Sequence, residues 1–338
     1  MPRALAFLAR RLALLLPLLL LVAVGTFVLL RLGGQDPSAM LAGPTATADE
    51  IARVRAQYAM DQPLPAQFVH WLWRVLHGDL GRSWISNRPV LQELIERAPA
   101  SLELLIVGLF FGTLVGVPAG LMAALRRGGA TDNIARLVSL IGYSIPTYFL
   151  GLAVLLIFFF LLDWAPPGMG RISLMLTPPP RITGSFVLDA LLVGDFEAAR
   201  SAFAQLVLPA TCIAILCAAP ILAQTRAIVL SVLASPPIVY AEAQGLGRGR
   251  IARIALRNAA TPIVTFIGAE LVGLVGSGSL IEYVFAWGGD GQFGLDAIVK
   301  GDFAVVQGYV LALALLSVVV FLIVDLIVLV LEPRAGLN

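Results

Sequence analysis

Long apolar runs recur along the chain, separated by segments rich in proline, glycine and charge. A helix rises by about 1.5 Å per residue, so roughly 20 apolar residues cross a hydrocarbon core of about 30 Å. The runs that meet this length lie near residues 10–31, 101–125, 134–162, 204–231, 262–286 and 304–331. The pattern predicts an all-α, polytopic membrane protein with six transmembrane helices.

Two of the intervening segments are long enough to fold. Residues 32–99 predict a small external subdomain, in which Ile51, Val54, Arg55 and Tyr58 keep a helical spacing before "QPLP" ends the pattern. Three tryptophans in this subdomain suit the headgroup level, where an indole is half in apolar surroundings: Trp71, Trp73 and Trp84. Residues 163–203 form a second long loop, to which no role is assigned.

Arginines predict the orientation of the helices. They cluster before the first run, between the second and third, and between the fourth and fifth: Arg3, Arg10, Arg11, Arg126, Arg127, Arg136, Arg226, Arg248, Arg250, Arg253 and Arg257. By the positive-inside rule these segments are cytoplasmic, and both termini therefore lie inside.

Composition agrees with a membrane protein, because 59% of the residues are apolar, only 13% are charged and the net charge is +2. A net charge this small argues against a nucleic-acid partner. Cys212 and Cys217 have no further cysteines as partners and are interpreted as small buried hydrophobes. The first apolar run is longer than a signal-peptide core and lacks an A-x-A cleavage site, which predicts a retained helix.

Residues 232–261 interrupt the apolar pattern as a predicted cytoplasmic loop. Pro236 and Pro237 are expected to end the fourth helix, and Thr261 with Pro262 to begin the fifth. Between them, basic and apolar stripes at helical spacing predict a short helix lying along the membrane: Arg250, Arg253 and Arg257 against Ile251, Ile254 and Ala255. Anionic lipid alone would explain the arginines, whereas the small residues Ala241, Ala243, Gly245 and Gly247 favour close approach by a protein.

The same stretch, "YAEAQGLGRGRIARIALRNAATPIVT", resembles the "EAA" coupling loop of ABC-importer permeases of the dipeptide/oligopeptide/nickel family. The resemblance covers nearly the whole chain, through "MDQPLPAQF", "GDLGRS", "SIPTYFLGL", "IEYVFAW" and the closing "EPR". The large first external loop is similar to that of the B-type subunit. The chain departs from the family pattern at Pro236 and Pro237, at Gly288, and in a loop one residue shorter between Gly245 and Pro262.

The resemblance implies a transporter subunit of the bacterial inner membrane rather than an enzyme. Its implied partners are a homologous C-type permease, two cytoplasmic ATPases, a periplasmic or lipid-anchored solute-binding protein, and membrane lipid. ATP and Mg²⁺ would bind to the ATPases and no cofactor to this chain. The sequence has no G-x-x-x-x-G-K-[ST] motif, and its single lysine, Lys300, lies in a predicted external loop.

Three sets of candidate site residues follow. The ATPase-coupling set is Ala241, Glu242, Ala243, Gln244, Gly245, Leu246, Arg250 and Arg253. The binding-protein contacts are Asp61, Gln62, Asp79, Arg82 and Arg88, and the translocation-path residues are Ser144 and Glu282. Structural roles are favoured for the carboxylates near apolar runs, Glu103, Glu282 and Asp325, and tight helix packing for Gly273 to Ser279. No metal-ligand cluster is expected.

Alternatives remain for cargo and mechanism. Peptides are the expected cargo, and the same architecture would serve glutathione, opines, nickel chelates or glycosides. An ion-driven secondary transporter is the rival class. The "GYS" at Gly142 to Ser144 also resembles an intramembrane serine protease, which needs a base to activate the serine hydroxyl. The chain has two histidines, His70 and His77, and both lie in the predicted first external loop, away from Ser144.

Overall fold

The computed structural model describes residues 17–28, 38, 46–57 and 61–331, and those residues are predominantly helical. The helices are α1 (Pro17–Val28), α2 (Ala48–Gln57), α3 (Leu64–Leu76), α4 (Val90–Leu125), α5 (Ala130–Ser144), α6 (Thr147–Leu155, continued by a π-helix over Leu156–Leu161), α7 (Phe186–Val193), α8 (Phe196–Leu233), α9 (Pro236–Ala243), α10 (Arg248–Val284), α11 (Asp290–Lys300) and α12 (Phe303–Leu331). The prediction of an all-α membrane protein is confirmed.

Among the described residues, four helices are long and apolar enough to cross a membrane, namely α4, α8, α10 and α12. A fifth span is broken, because α5 and α6 meet at a bend of 98°. The predicted continuous helix over residues 134–162 is therefore wrong. Pro146 disfavours helical backbone at Ile145, which is extended with ψ 120°. The first predicted span, 10–31, lies partly outside the described residues. The described part of it is α1.

Two compact units divide the chain. The smaller contains the residues up to Ala98 together with Phe293–Val318, and its apolar core includes Val90, Val305 and Tyr309. The larger contains Pro99–Gln292 and the residues from Val319 onward. Its main core is formed by α4, α6, α8 and α10, around side chains such as Ile213 and Ile281 that are 0% exposed.

Glycines on α4 allow α8 to approach closely. Gly108, Gly112, Gly116 and Gly120 recur every fourth residue and therefore share one helix face. A Cβ added at Gly112 would lie 2.9 Å from the carbonyl oxygen of Ala214, and one at Gly116 2.9 Å from that of Ala218. Contacts this short permit only a hydrogen at each position, which is the small-xxx-small packing common in membrane helices.

The prolines of the predicted coupling loop meet the expectation only in part. The helix before Pro236 and Pro237 ends as expected, since α8 stops at Leu233. Pro236 and Pro237 begin α9, since a first helical turn has no use for their missing N–H groups. Pro262 does not begin a helix and lies inside α10, which starts at Arg248. The helix continues because Ala255, Ala259 and Ile263 are buried in a core with α8, and this burial offsets the lost hydrogen bond.

Candidate coupling and translocation sites

The short helix α9 is held at both ends by its local sequence. Ser235 precedes it in an extended conformation, and its hydroxyl donates to the carbonyl of Val232 at 2.6 Å. At the other end Gly245 adopts a positive φ of 78°. The N–H of Gly245 then bonds the carbonyl of Glu242 at 2.9 Å, and that of Leu246 bonds Ala241 at 3.2 Å. This is a Schellman motif, which favours glycine at the left-handed position.

One face of α9 is buried and the other is open. Ile238 is 0% exposed and attaches the helix to the protein. Tyr240 is 66% exposed, and its hydroxyl accepts a hydrogen bond from the amide of Gln244 at 2.7 Å. Glu242 and Ala243 are also exposed. The predicted coupling residues thus form a small protruding surface, with Ala241 and Leu246 half-buried at its base.

The arginine stripe belongs to the first turns of α10 rather than to a separate short helix. Arg250 and Arg253 are exposed. On the opposite face Ile251 is 6% exposed and Ala255 is 0% exposed, and Ala255 packs in a core with Val229 of α8. The predicted helix along the membrane is therefore wrong, because this apolar stripe packs on protein. The arginines are joined to the span by continuous helix.

An ion pair fixes the turn between α4 and α5 to α8. Asp132, 1% exposed at the start of α5, accepts hydrogen bonds from the guanidinium of Arg226, one of them at 3.0 Å. It also accepts from the N–H of Gly128 at 2.9 Å. The turn between α4 and α5 and the end of α8 that carries Arg226 are thus linked, and α9 follows directly from that end.

The residues predicted to contact a binding protein lie on the surface of the smaller unit. Asp61 and Gln62 are exposed. Asp79 accepts from Arg74 at 2.7 Å and from the N–H of Gly81 at 2.9 Å. Although burial acts to raise the pKa of Asp79, these hydrogen bonds lower it below its ordinary value. Asp79 thus orders the turn at Gly81.

The two predicted arginines of this surface also order the segment after α3. Arg82 donates to the carbonyl of Asn87, and Arg88 pairs with Glu96 at 2.7 Å. The hydroxyl of Ser83 donates to Asp302 at 2.6 Å, and both side chains are buried. The segment is therefore a structured loop whose exposed side chains are presented in a fixed arrangement.

The loop between α6 and α8 is ordered by charges. Arg171 pairs with Glu103 at 2.7 Å, and the hydroxyl of Ser185 donates to the same carboxylate. Asp189 is 1% exposed and accepts from the side chain of Thr183 at 2.7 Å and from the N–H of Gly184 at 2.9 Å. These groups account for Glu103 as a structural residue and give the loop its own framework.

Glu282 holds a helix start. It is 2% exposed, and its carboxylate accepts the N–H of Gln292 in the first turn of α11 at 3.0 Å. The indole of Trp287 donates to the carbonyl of Ala100 at 2.9 Å in the same region. The structure thus buries Glu282 in a hydrogen-bonded junction. Asp325 is half-buried in α12 and interacts with other groups of the chain.

Ser144 lies at the broken span. It is exposed, ends α5, and donates its hydroxyl to the carbonyl of Leu140 at 2.8 Å. The neighbouring Tyr143 is 64% exposed and lies within electrostatic reach of Glu270 on α10. Glu270 is a membrane-span carboxylate that the sequence analysis missed. Its signal was readable, since it is the sole charged residue between Arg257 and Glu282.

The expected packing role of Gly273 to Ser279 holds for only part of that stretch. A Cβ added at Gly278 would lie 2.9 Å from Leu105, so this glycine permits close packing. Among the described residues, nothing lies within 4 Å of a Cβ added at Gly273 or Gly276, so the predicted tight packing there is wrong for this part of the chain. These two glycines face open space because they lie on the opposite side of α10.

Comparison with known proteins identifies this combination of helices. Residues 116–336 match the family model of the binding-protein-dependent transport system inner membrane component, and residues 4–105 match the model of its N-terminal part. The chain belongs to this permease family. It is 36% identical to the dipeptide transport system permease protein DppB of Escherichia coli (strain K12), over 98% of both chains. It is 34% identical to the di/tripeptide transport system permease protein DppB of Pseudomonas aeruginosa (strain UCBPP-PA14), again over 98% of both. The permease is thus a multi-pass integral membrane protein.

Proposed function

We propose that this chain is the B-type permease subunit of a peptide importer of the bacterial inner membrane, and that α9 is its contact with an ATPase. The names of the relatives support peptides as cargo. The observation that carries the coupling role is the exposed face of α9 between Tyr240 and Gly245, attached to the protein through Ile238. A small, rigid protrusion with an acidic residue suits a groove on another protein better than it suits a lipid surface.

Force applied to α9 would reach the membrane spans through short connections. Two residues separate α8 from α9, and the Gly245 turn separates α9 from α10. The core around Val229, Ala255 and Ala259 joins the same ends of α8 and α10. Closure of an ATPase dimer against α9 would therefore tilt α8 and α10 together. This motion would switch the path between inward-open and outward-open states.

The remaining partners follow from the same proposal. ATP and Mg²⁺ bind to two separate ATPase subunits on the cytoplasmic side, where the arginines and both termini lie. A homologous C-type permease completes the path. A solute-binding protein rests on the ordered loop between Asp79 and Pro89, in which Arg82 and Arg88 are held by hydrogen bonds and ion pairs.

Charge reversal at Glu242 tests the coupling role. The assembled importer is reconstituted in liposomes with its loaded binding protein, and ATP hydrolysis and peptide uptake are measured together. Glu242→Lys is expected to lower uptake and binding-protein-stimulated hydrolysis by an order of magnitude, since a groove that accepts a carboxylate rejects an ammonium group.

Glu197→Lys is the matched control, because Glu197 is exposed in the first turn of α8, at the end away from α9. It is expected to retain both activities. If Glu242→Lys transported peptide with the stimulation of the unchanged importer, α9 would not be the coupling contact.

A further inference from the structure

Glu270 is a carboxylate without a partner in a membrane span. It lies within α10 in a run with no other charge between Arg257 and Glu282. It is half-buried, and among the residues that the structure describes it makes no hydrogen bond or ion pair. A charge at this depth is costly unless it faces water or a counter-charge. Glu103 and Glu282 do not share this property, because each has partners within the chain.

The surroundings of Glu270 are open on one side. The neighbouring positions on α10 are exposed and small, namely Thr265, Ala269, Gly273 and Gly276. A Cβ added at either glycine would meet no described residue within 4 Å. Tyr143 and the buried Cys217 are both within electrostatic reach of the carboxylate. Glu270 therefore lies at the edge of an unfilled face.

The break between α5 and α6 adds further negative potential. Tyr143 and Ser144 are in the last turn of α5, where a helix presents carbonyl oxygens and the negative end of its dipole. In the described part of the chain the carbonyls of Gly142, Tyr143 and Ser144 accept no hydrogen bond from another element. Non-helical backbone at membrane depth is tolerated where it is buried in protein or lines a water-filled cavity. A carboxylate and unpaired carbonyls together favour a cation.

We propose that Glu270 binds the ammonium group of the peptide as it crosses the membrane, and that this contact selects cargo with a free amino terminus. The proposal rests on the proposed function, since it assumes that the path carries peptides. A divalent metal ion fits less well, because such ions require several ligating side chains and Glu270 is a single carboxylate. An ammonium group needs one carboxylate and a few further oxygen acceptors, and it does not require a set of ligating side chains.

A double-mutant cycle between the protein and its cargo tests the proposal. The assembled importer in liposomes is given a dipeptide or the same molecule with its α-amino group replaced by hydrogen. Initial uptake rates are compared in the unchanged importer and in Glu270→Gln. In each importer the uptake rate of the dipeptide is divided by that of the cargo without the amine. Any preference of the binding protein for the amine is common to both importers and cancels when the two ratios are compared. Glu270→Asp and Glu197→Gln serve as controls, the first keeping the charge and the second removing an exposed carboxylate elsewhere.

The expected result is a fall of about tenfold or more in the preference for the free amine in Glu270→Gln, as for loss of a charge-assisted hydrogen bond. The preference should be retained in Glu197→Gln and largely retained in Glu270→Asp. An unchanged preference in Glu270→Gln would overturn the proposal. An equal loss of uptake for both cargoes would also overturn it and would assign Glu270 to a contact with the second permease subunit. Failure of the unchanged importer to take up either cargo with ATP would instead refute the proposed function.

Discussion

The glycine face of α4 gives the sharpest test of how the larger unit is held together. A Cβ at Gly120 would lie 2.6 Å from the carbonyl oxygen of Leu222 and 2.8 Å from the Cβ of Thr225. Carbon and carbonyl oxygen approach to about 3.3 Å at the closest, so α4 and α8 would have to separate by about 0.7 Å in Gly120→Ala. Both obstructing atoms belong to the backbone or its first side-chain carbon, which cannot rotate away.

The free-energy cost of this clash is partly offset by the higher helix propensity of alanine. Overpacking of this kind destabilises by about 1–3 kcal/mol, whereas alanine is favoured over glycine inside a helix by about 0.8–1.0 kcal/mol. Gly276→Ala is the matched control, since it makes the same replacement in a helix interior where nothing lies within 4 Å. Gly120→Ala should therefore be less stable than Gly276→Ala by about 1–3 kcal/mol.

The full chain, purified alone in detergent, is the sample for this comparison, so that only its own helices contribute. Its unfolding by heat or by titration with a denaturing detergent gives the two stabilities. Equal stability of Gly120→Ala and Gly276→Ala would refute the reasoning, because it would show that α4 does not approach α8 as closely as the structure has it.

Two further predictions concern buried carboxylates. Burial acts to raise the pKa of Asp189, but hydrogen bonds from Thr183 and Gly184 lower it below its ordinary value. Ionised Asp189 thus stabilises the fold above its unfolded pKa of about 3.9, and this contribution is lost as pH falls through the folded-state pKa. Asp189→Asn should be less stable than the unchanged chain at pH 7, and unfolding measured over a pH series should show the gap narrowing below about pH 4; a constant gap would contradict this. Glu282→Ala should lower the free energy of unfolding by about 1–3 kcal/mol, because it removes the carboxylate that accepts the partly buried N–H of Gln292. Glu282→Gln should cost less, since its amide oxygen can still accept, and equal losses in the two variants would count against the hydrogen bond.

Hydropathy predicted most of the membrane helices because each run had only one compact way to bury its backbone in lipid. It could not place the ends of those helices. Pro262 was expected to begin a helix and lies within α10, because buried contacts of Ala255 and Ala259 decide the matter and a proline's local preference does not. At Pro146 the local preference prevails, because Ile145 adopts extended backbone and the span breaks there.

The site residues divide in a similar way. The coupling segment could be proposed from its small residues and one glutamate. Its Schellman turn could be identified only from the backbone angle φ of Gly245 in the structure. The roles of Gly273 and Gly278 depend on which side of α10 each occupies, and a sequence without its neighbours does not give that side. Glu270 could have been proposed from the sequence, because it is the sole charge in an apolar run between Arg257 and Glu282.

The continuity of α10 fixes a rotational relation between the coupling segment and the proposed cargo contact. Arg248 and Glu270 share one uninterrupted helix. Each residue added or removed between them would turn everything beyond it by about 100° and shift it by about 1.5 Å, whereas about four residues would nearly restore the phase. A helix of this kind therefore tolerates changes of length by whole turns and not by single residues. A residue lost from the coupling segment would accordingly have to be absorbed where the backbone is free to readjust, in the glycine turn at Gly245 and Gly247, if Glu270 is to keep its position relative to Tyr143.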